Sequence, residues 1–239
     1  KKKIIVQRIQ TNNFKNFYQS YYASKQNIIP LVDAKIAISK DYFTIKKGFK
    51  WITNYLSRKR SHLIRSEYDC ILSTSKSINK DNSLLNCRLN GLNNNKPDLI
   101  IIDFRFTIRT KLTLFKKFKK RKIFIITSNF KSKKILYFKK RGVKIICIKS
   151  LETKFDFISL FRILKKYGYN RLLVESGLIF LNTLIRNKLI SNLYVFKSPK
   201  KLGKIGVNNS TNKLIKKVNL KKKIKVNLNG DNLYKIKMK

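Results

Sequence analysis

The chain has 239 residues, 43% of them hydrophobic, with 57 Lys and Arg against 11 acids and a net charge of +46. That content excludes a disordered chain and allows one sizeable core, or one domain plus a piece of another. No apolar run approaches the ~18–20 residues a membrane helix needs, and the few apolar residues after Lys1-Lys2-Lys3 are too short for a signal peptide.

Ile4-Ile5-Val6 reads as a short strand. Phe14, Phe17, Tyr18, Tyr21 and Tyr22 follow at helical spacing, as packing aromatics. Pro30 starts a new unit. Val32, Ala34, Ile36 and Ile38 alternate with Asp33, Lys35 and Ala37, which is a strand pattern. Ser39-Lys40-Asp41 closes it with a polar turn, and a loop through Gly48 leads to Trp51.

Trp51 to Arg88 carries the only Trp and the only His. Thr53 or Asn54 can cap a helix by accepting from an unpaired N–H. Leu56, Leu63 and Ile64 form its apolar face, with Arg58, Lys59 and Arg60 toward water. His62 reads as a helix-surface residue. Asp69 ends the helix, Cys70-Ile71-Leu72 is a buried strand, and a polar loop follows. In an open α/β sheet, ligand sites form in such loops.

Leu99–Ile102, Ile123–Ile126, Val143–Ile148, Leu172–Val174 and Asn192–Phe196 read as further strands. Lys131–Arg141 is a short helix stopped by Gly142, and Phe157, Leu160, Phe161 and Leu164 mark an amphipathic helix stopped by Gly168. Glu175-Ser176-Gly177 is a tight turn into a helix carrying Leu178, Leu181, Leu184 and Ile185. An acid directly after a buried strand, in a chain with so few acids, marks Glu175 as functional. Ile224, Val226 and Leu228 alternate up to Asn229-Gly230, a hairpin signal, and the chain returns over Leu233–Met238. The sum is an α/β fold: a mostly parallel sheet with antiparallel strands at one edge.

Cys70, Cys87 and Cys147 form no CxxC pair. Cys70 and Cys147 lie in apolar runs and read as core residues. A disulfide framework does not fit, which suits a reducing cytoplasm, and one His with no clustered Cys argues against a zinc site. The charge has two readings. Clustered cations would bind nucleic acid through its phosphates. Here the lysines are spread along the chain, and Lys, Asn and Ile, all with A/T-rich codons, are abundant together. Codon usage accounts for that better, and nucleic acid is not the expected partner. Under either reading the positive field favours phosphorylated ligands.

Five motifs in order give the chain a resemblance. These are Ser39-Lys40-Asp41, then Trp51-Ile52-Thr53, then Leu63-Ile64-Arg65 with Ser77, Asp81, Leu85 and Arg88 after it, then Val174-Glu175-Ser176-Gly177, then Pro199-Lys200-Lys201-Leu202-Gly203. From about Pro30 onward the chain resembles the reductase domain of the bifunctional riboflavin-biosynthesis deaminase–reductase. The resemblance implies a three-layer, dihydrofolate-reductase-like fold over 30–239. Residues 1–29 would be the end of a preceding deaminase domain and its connector. That domain's zinc site, a His/Cys/Cys set with a catalytic Glu, is absent from this segment, so no metal is expected here. A cytoplasmic homodimer is implied, with Leu189–Phe196 and the C-terminal hairpin as candidate contacts.

The resemblance implies NADPH-dependent reduction of 5-amino-6-(5-phosphoribosylamino)uracil, hydride reaching C1 of the ring-opened ribose imine. Ala37 and Trp51 would line the cofactor pocket, Ser77 and Asp81 would contact the cofactor, and Gly177, Leu178 and the helix as far as Thr183 would take its phosphates. Arg65, Leu85 and Arg88 would bind substrate, the guanidiniums on its phosphate. Glu175 would hold a donor of the substrate, and Glu175 and Asp41 are the catalytic candidates. The chain departs from the family at Tyr42, Phe49, Thr74, Ser83, Ser176 and Phe104. Two other readings stand beside this one: a basic, non-catalytic module for RNA or other polyanions, and a reductase for another pterin- or pyrimidine-like substrate.

Overall fold

The computed structural model describes residues 21, 28–49, 51–92, 97–116, 121–210, 218, 220 and 223–238. The strand at Ile4–Val6 and the aromatic helix lie outside these residues, apart from Tyr21. In chain order the strands are β1 (Leu31–Ile38), β2 (Phe43–Lys46), β3 (Cys70–Thr74), β4 (Asp98–Ile102), β5 (Ile123–Thr127), β6 (Lys144–Cys147), β7 (Arg171–Val174), β8 (Asn192–Lys197), β9 (Gly206–Asn209) and β10 (Asn232–Lys237). The helices are α1 (Tyr55–Ser66), α2 (Ser75–Asp81), α3 (Thr113–Lys116), α4 (Lys134–Lys140), α5 (Lys154–Lys166) and α6 (Leu178–Arg186).

Eight strands form one sheet in the order β10-β8-β1-β7-β3-β4-β5-β6. Every pairing is parallel except that of β10 with β8. Parallel strands are covered on both faces, so their sequences read as continuous apolar runs. Side-chain alternation sorts each run into two cores. Ile100, Ile102, Phe124 and Ile126 join Phe157, Phe161, Leu178 and Leu181 of α5 and α6. Leu99, Ile101, Ile123 and Ile125 join Ile64, Ile78 and Phe138 of α1, α2 and α4. The result is three layers, as expected.

β1 follows the same rule, with one consequence the alternation hid. Val32, Ala34, Ile36 and Ile38 face α5 and α6. Asp33 and Lys35 therefore point to the α1 side, and that side is covered as well. Asp33 is fully buried and accepts from Tyr68 Oη at 2.6 Å and from the Asn192 amide and side chain at 2.9 Å each.

Asn54 caps α1, accepting from the Ser57 amide at 3.0 Å. The buried residues of α1 are Ser57, Ser61 and Ile64. Leu56 is exposed, so the expected apolar face reduces to Ile64 with half-buried Leu63. The turn at Asn229-Gly230, with φ of 48° and 89°, docks on this helix start. Asp231 accepts from the Asn54 amide at 2.8 Å and from Ser57 Oγ at 2.7 Å. The arm entering that turn forms a single bridge, Lys223 to Tyr234, while β10 takes β8 as its ladder partner.

Three further expectations change. The polar loop after β3 is the helix α2, capped by Thr74, whose Oγ1 accepts from the Ser77 amide. Cys147 is exposed on the edge strand β6 and is not a core residue. The loop after Asp41 contains β2, which pairs antiparallel with β9 in a separate two-stranded sheet. Gly206 of β9 lies against the ring of Phe43 in β2. A Cβ there would come within 3.0 Å of three ring atoms.

Overpacking of that kind costs ~1–3 kcal/mol. Gly206→Ala is expected to lower the urea midpoint of unfolding accordingly, and Phe43→Leu in the same background to recover part of the loss. An unchanged midpoint in Gly206→Ala would contradict the packing of the small sheet.

Candidate active site

The carboxyl ends of β1, β7 and β3 lie side by side, and the candidate residues collect there. Register sets the first contact. Ala34 pairs with Val174, so the next residues along the two strands, Lys35 and Glu175, are neighbours. Alternation sends both toward α1, where Arg65 waits in the helix's last turn. Arg65 Nε and Nη2 donate to the two oxygens of Glu175 at 2.5 and 2.9 Å, a two-point contact. Lys35 Nζ donates to Glu175 Oε2 at 3.4 Å. The side chains are 12%, 8% and 16% exposed for Arg65, Glu175 and Lys35, so this is a buried triad.

Its charge balance is one anion to two cations. Burial pushes the Glu175 carboxyl up, but the charges of Arg65 and Lys35 and their hydrogen bonds outweigh burial and bring it to about 2. For Lys35 burial wins: it lowers the ammonium further than Glu175 raises it, and Arg65 adds to the lowering. Arg65 is therefore the stronger partner of Glu175. Backbone bonds fix the acid's position, the Glu175 amide donating to Leu72 O at 3.0 Å and Ser73 Oγ donating to Glu175 O at 2.6 Å.

A second polar shell surrounds Arg65. His62, one turn earlier on α1, is half-buried rather than a surface residue. Its Nδ1 lies 2.8 Å from Asn86 O, and its Nε2 lies 3.2 Å from Arg88 Nη2. Burial, then the guanidiniums of Arg65 and Arg88, pull its pKa down to about 4. Arg88 is itself exposed and donates through Nη1 to Asn86 Oδ1 at 2.8 Å. Leu85 is buried with φ of 47°. The guanidinium of Arg121 holds the carbonyls of Leu84, Leu85 and Pro97, and so fixes the segment that carries Arg88.

Ser77 and Gly177 also meet. The Gly177 amide donates to Ser77 Oγ at 3.0 Å, which joins the start of α2 to the start of α6. Neither helix has an acid in its first turn. Only about the first four N–H groups of a helix lack an intrahelical partner. Gly177 is the N-cap, its amide donating to Ser77 Oγ, and Leu178 is the first helical residue, with its side chain in the core. Thr183 is the sixth residue of α6, beyond those donors, and its hydroxyl donates to Ile179 O at 3.1 Å.

The remaining expected residues lie around this cluster. Half-buried Ala37 is two residues beyond Lys35 on the same face of β1. Trp51 is exposed before α1, its ring 5.0 Å from the Arg58 guanidinium carbon. Asp81 is exposed at the end of α2, one turn beyond Ser77. Asp41 is engaged elsewhere: its oxygens accept from Ser39 Oγ at 2.6 Å, from the Leu202 amide at 2.9 and 3.0 Å, and from the Gly203 amide at 2.8 Å. Slight burial pushes its carboxyl up, and these bonds outweigh that and hold it below its ordinary value. The arrangement braces the loop after β8.

The residues that sequence reasoning missed are Lys35, His62, Asn86 and Arg121. Lys35 had a signal in the sequence: a lysine in a strand whose sheet is covered on both faces needs a partner.

A family model described as the RibD C-terminal domain matches residues 30–233. Riboflavin biosynthesis protein RibD of Buchnera aphidicola subsp. Baizongia pistaciae is 28% identical over 190 residues, 73% of this chain and 50% of that protein. The 5-amino-6-(5-phosphoribosylamino)uracil reductase of Buchnera aphidicola subsp. Acyrthosiphon pisum is 30% identical over 165 residues, 64% of this chain and 77% of that protein. The solved diaminohydroxyphosphoribosylaminopyrimidine deaminase/5-amino-6-(5-phosphoribosylamino)uracil reductase of Thermotoga maritima superposes with a TM-score of 0.76 at 20% identity, over 94% of this chain and 61% of that one. The chain spans half the length of the first of these relatives.

The triad sets an acid dependence. Glu175 falls from 4.5 in the unfolded chain to about 2 in the fold, so its contribution is complete above pH 4.5 and is lost as pH falls toward 2. At pH 7, Glu175→Gln leaves two buried cations without their anion and should destabilise by about 3 kcal/mol. Urea midpoints at pH 7 and pH 2.5 test this. The gap between wild type and Glu175→Gln should shrink by more than half at the lower pH, and a constant gap would refute the assigned ionisation.

Proposed function

Since the chain belongs to the RibD C-terminal domain family, we propose that it is an NADPH-dependent reductase acting on 5-amino-6-(5-phosphoribosylamino)uracil in riboflavin biosynthesis. The observation that carries this is the buried Lys35–Glu175–Arg65 triad beside the joined starts of α2 and α6. A relative named for this reductase activity supports it.

The residues fit a phosphate-bearing cofactor. The amides from Leu178 onward and the Ser77 hydroxyl are donors with no acid in the first turn to compete, and the Gly177 amide, which donates to Ser77 Oγ, sets that hydroxyl beside them. In this reading Leu178 and Ser77 hold the phosphates, with Gly177 placing the Ser77 hydroxyl and leaving room for the ligand's approach, Ala37 and Trp51 line the remainder of the pocket, and Asp81 accepts from the cofactor. When bound, the nicotinamide supplies hydride.

The chain's own groups do the rest. Arg88, with Leu85 beside it, takes the substrate phosphate in the two-point geometry that guanidinium offers. Arg65 holds Glu175 ionised, and Glu175 accepts from a donor of the substrate. Reducing an imine to an amine needs a proton at nitrogen as well as hydride at carbon. Arg65 keeps its proton at all working pH values. Lys35 carries a transferable proton at Nζ, and burial makes it a stronger acid than an ordinary lysine. Lys35 therefore serves the substrate nitrogen and regains its proton from solvent. Asp41 acts as a brace.

For a homodimer in the cytoplasm, the C-terminal hairpin, through β10, is the better of the two expected contact regions. β8 is paired on both sides, by β1 and β10, and β10 is the edge strand. The polyanion-binding reading keeps one observation in its favour: exposed Phe49, Trp51 and Tyr55 each carry a Lys or Arg over the ring.

The test is NADPH binding, with absorbance at 340 nm followed in the presence of the phosphoribosylaminouracil. Wild type should turn over. Lys35→Met should lower kcat by about 100-fold, within the range of general acid catalysis, with NADPH affinity retained. Arg88→Ala should raise KM by about tenfold or more. A folded protein that binds no NADPH, but binds RNA with a steep salt dependence, would replace this reading with the polyanion module.

A further inference from the structure

Arg88 is an exposed arginine among 57 cations, and nothing in its sequence setting explains how it could be held for recognition. His62 supplies the explanation. A backbone carbonyl only accepts, so the nitrogen 2.8 Å from Asn86 O must carry a hydrogen; that nitrogen is Nδ1. A guanidinium only donates, so the nitrogen 3.2 Å from Arg88 Nη2 must be bare; that nitrogen is Nε2. Arg65 Nη1, also a donor, lies 3.5 Å from Nδ1, at the limit of hydrogen-bond distance, and the shorter contacts at 2.8 and 3.2 Å outweigh it and select the neutral Nδ1–H tautomer. Arg88 is then held at two points, Nη2 by His62 and Nη1 by Asn86 Oδ1. The carrier segment is fixed independently, with Arg121 on its carbonyls and Arg65 Nη1 donating to Asn86 O at 3.3 Å.

We propose that His62 is the positioning residue for Arg88: its neutral Nδ1–H imidazole fixes the guanidinium plane so that the fork facing away from the ring is set for a phosphate before ligand arrives. Orientation in advance of binding improves affinity by removing the cost of ordering a flexible side chain. This rests on the reading of Arg88 as the phosphate ligand. A merely structural His62 would need only the bond from Nδ1 to Asn86.

Two substitutions separate these roles. His62→Asn places an amide donor near the Nδ1 position and removes the acceptor facing Arg88. His62→Gln reaches the Nε2 position with an oxygen that can accept from Arg88. Ribose 5-phosphate is the probe, its Kd measured by calorimetry in wild type, both variants, Arg88→Ala and the His62→Asn/Arg88→Ala double variant; KM and kcat follow from NADPH oxidation. His62→Asn should weaken the probe and raise KM by about tenfold with kcat within about twofold, as loss of an oriented charged contact predicts. His62→Gln should stay within about threefold of wild type. In the Arg88→Ala background His62→Asn should add nothing, because both act through one contact. As the only histidine, His62 gives a single imidazole in nitrogen-15 spectra, and at pH 7 it should show Nδ1 protonated and Nε2 bare. If Arg88→Ala leaves the probe's affinity unchanged, phosphate does not bind at Arg88, and both the underlying reading of that residue and this proposal fall. If Arg88→Ala weakens binding while His62→Asn behaves as wild type, or the ring is Nε2-protonated, this proposal alone is overturned.

Discussion

The site depends on one carboxylate. Glu175 is held between the guanidinium of Arg65 and the ammonium of Lys35, in a place that three separate elements must reach. β7 delivers the acid, β1 delivers the lysine through its register with β7, and α1 delivers the arginine from its last turn. An ion pair of this kind gains stability only when its geometry is good and its remaining valences are met, because taking charges out of water costs several kcal/mol per ion. Here the geometry is met by a two-point contact. The backbone of Glu175 is fixed by β3, so the carboxylate cannot drift from its partners. Shifting β1 by one residue would turn Lys35 toward α5 and α6, leave it buried without its anion, and leave Glu175 to Arg65 alone.

Much of this was legible in the sequence, for physical reasons that also explain what was not. The buried strands β3, β4, β5, β7 and β8 announced themselves because a parallel sheet covered on both faces needs apolar runs. Gly142 and Gly168 mark helix ends because both have φ near 80–90°. Arg65, Glu175, Ser77 and Gly177 were named from motif order, and they do meet in pairs. Lys35 was overlooked because alternation assigned it to a wet face, and only the tertiary cover of α1 makes that face dry. His62 was overlooked because its partners, Asn86 and Arg88, lie 24 and 26 residues away. β2 and β9 are four residues each, and no period can be read over so short a span. Ser, Asn and Lys give α2 the composition of a loop, yet the Thr74 cap starts a helix there.

The departures from the family pattern become intelligible at the same level. Thr74, where the resemblance implies a Gly, has φ of −109°, a conformation that needs no glycine, and its hydroxyl supplies a helix cap that Gly cannot. Tyr42 also replaces a Gly, and there the backbone keeps φ at 67°, in the left-handed region. Such a conformation costs a non-glycine residue about 1–2 kcal/mol. The Tyr42 ring packs under Lys197 Nζ at 4.5 Å, and its carbonyl accepts from the Ser210 amide at 2.9 Å and the Ser210 hydroxyl at 2.7 Å. The fold has kept the turn and found local partners for a residue that does not favour it.

The abundance of cations hides a distinction that burial makes plain. Most of the lysines are exposed, where water screens them and each contributes little. Around the triad the situation differs. Lys35, Arg65, Arg88 and Arg121 share one neighbourhood with the acids Glu175 and Asp98, four cations against two. Burial, opposed by Asp98 and reinforced by Arg65, lowers Arg121 to about 10, and Lys35 is lowered as well. Those shifts mean that the fold holds positive charge there at a cost to its own stability. An anion placed there would lower that cost, because the fields that oppose one another would attract it. Burial sets Lys35, Arg65 and Arg121 apart from the interchangeable surface lysines, and contacts to His62 and Asn86 set exposed Arg88 apart, a distinction that counting charges cannot make.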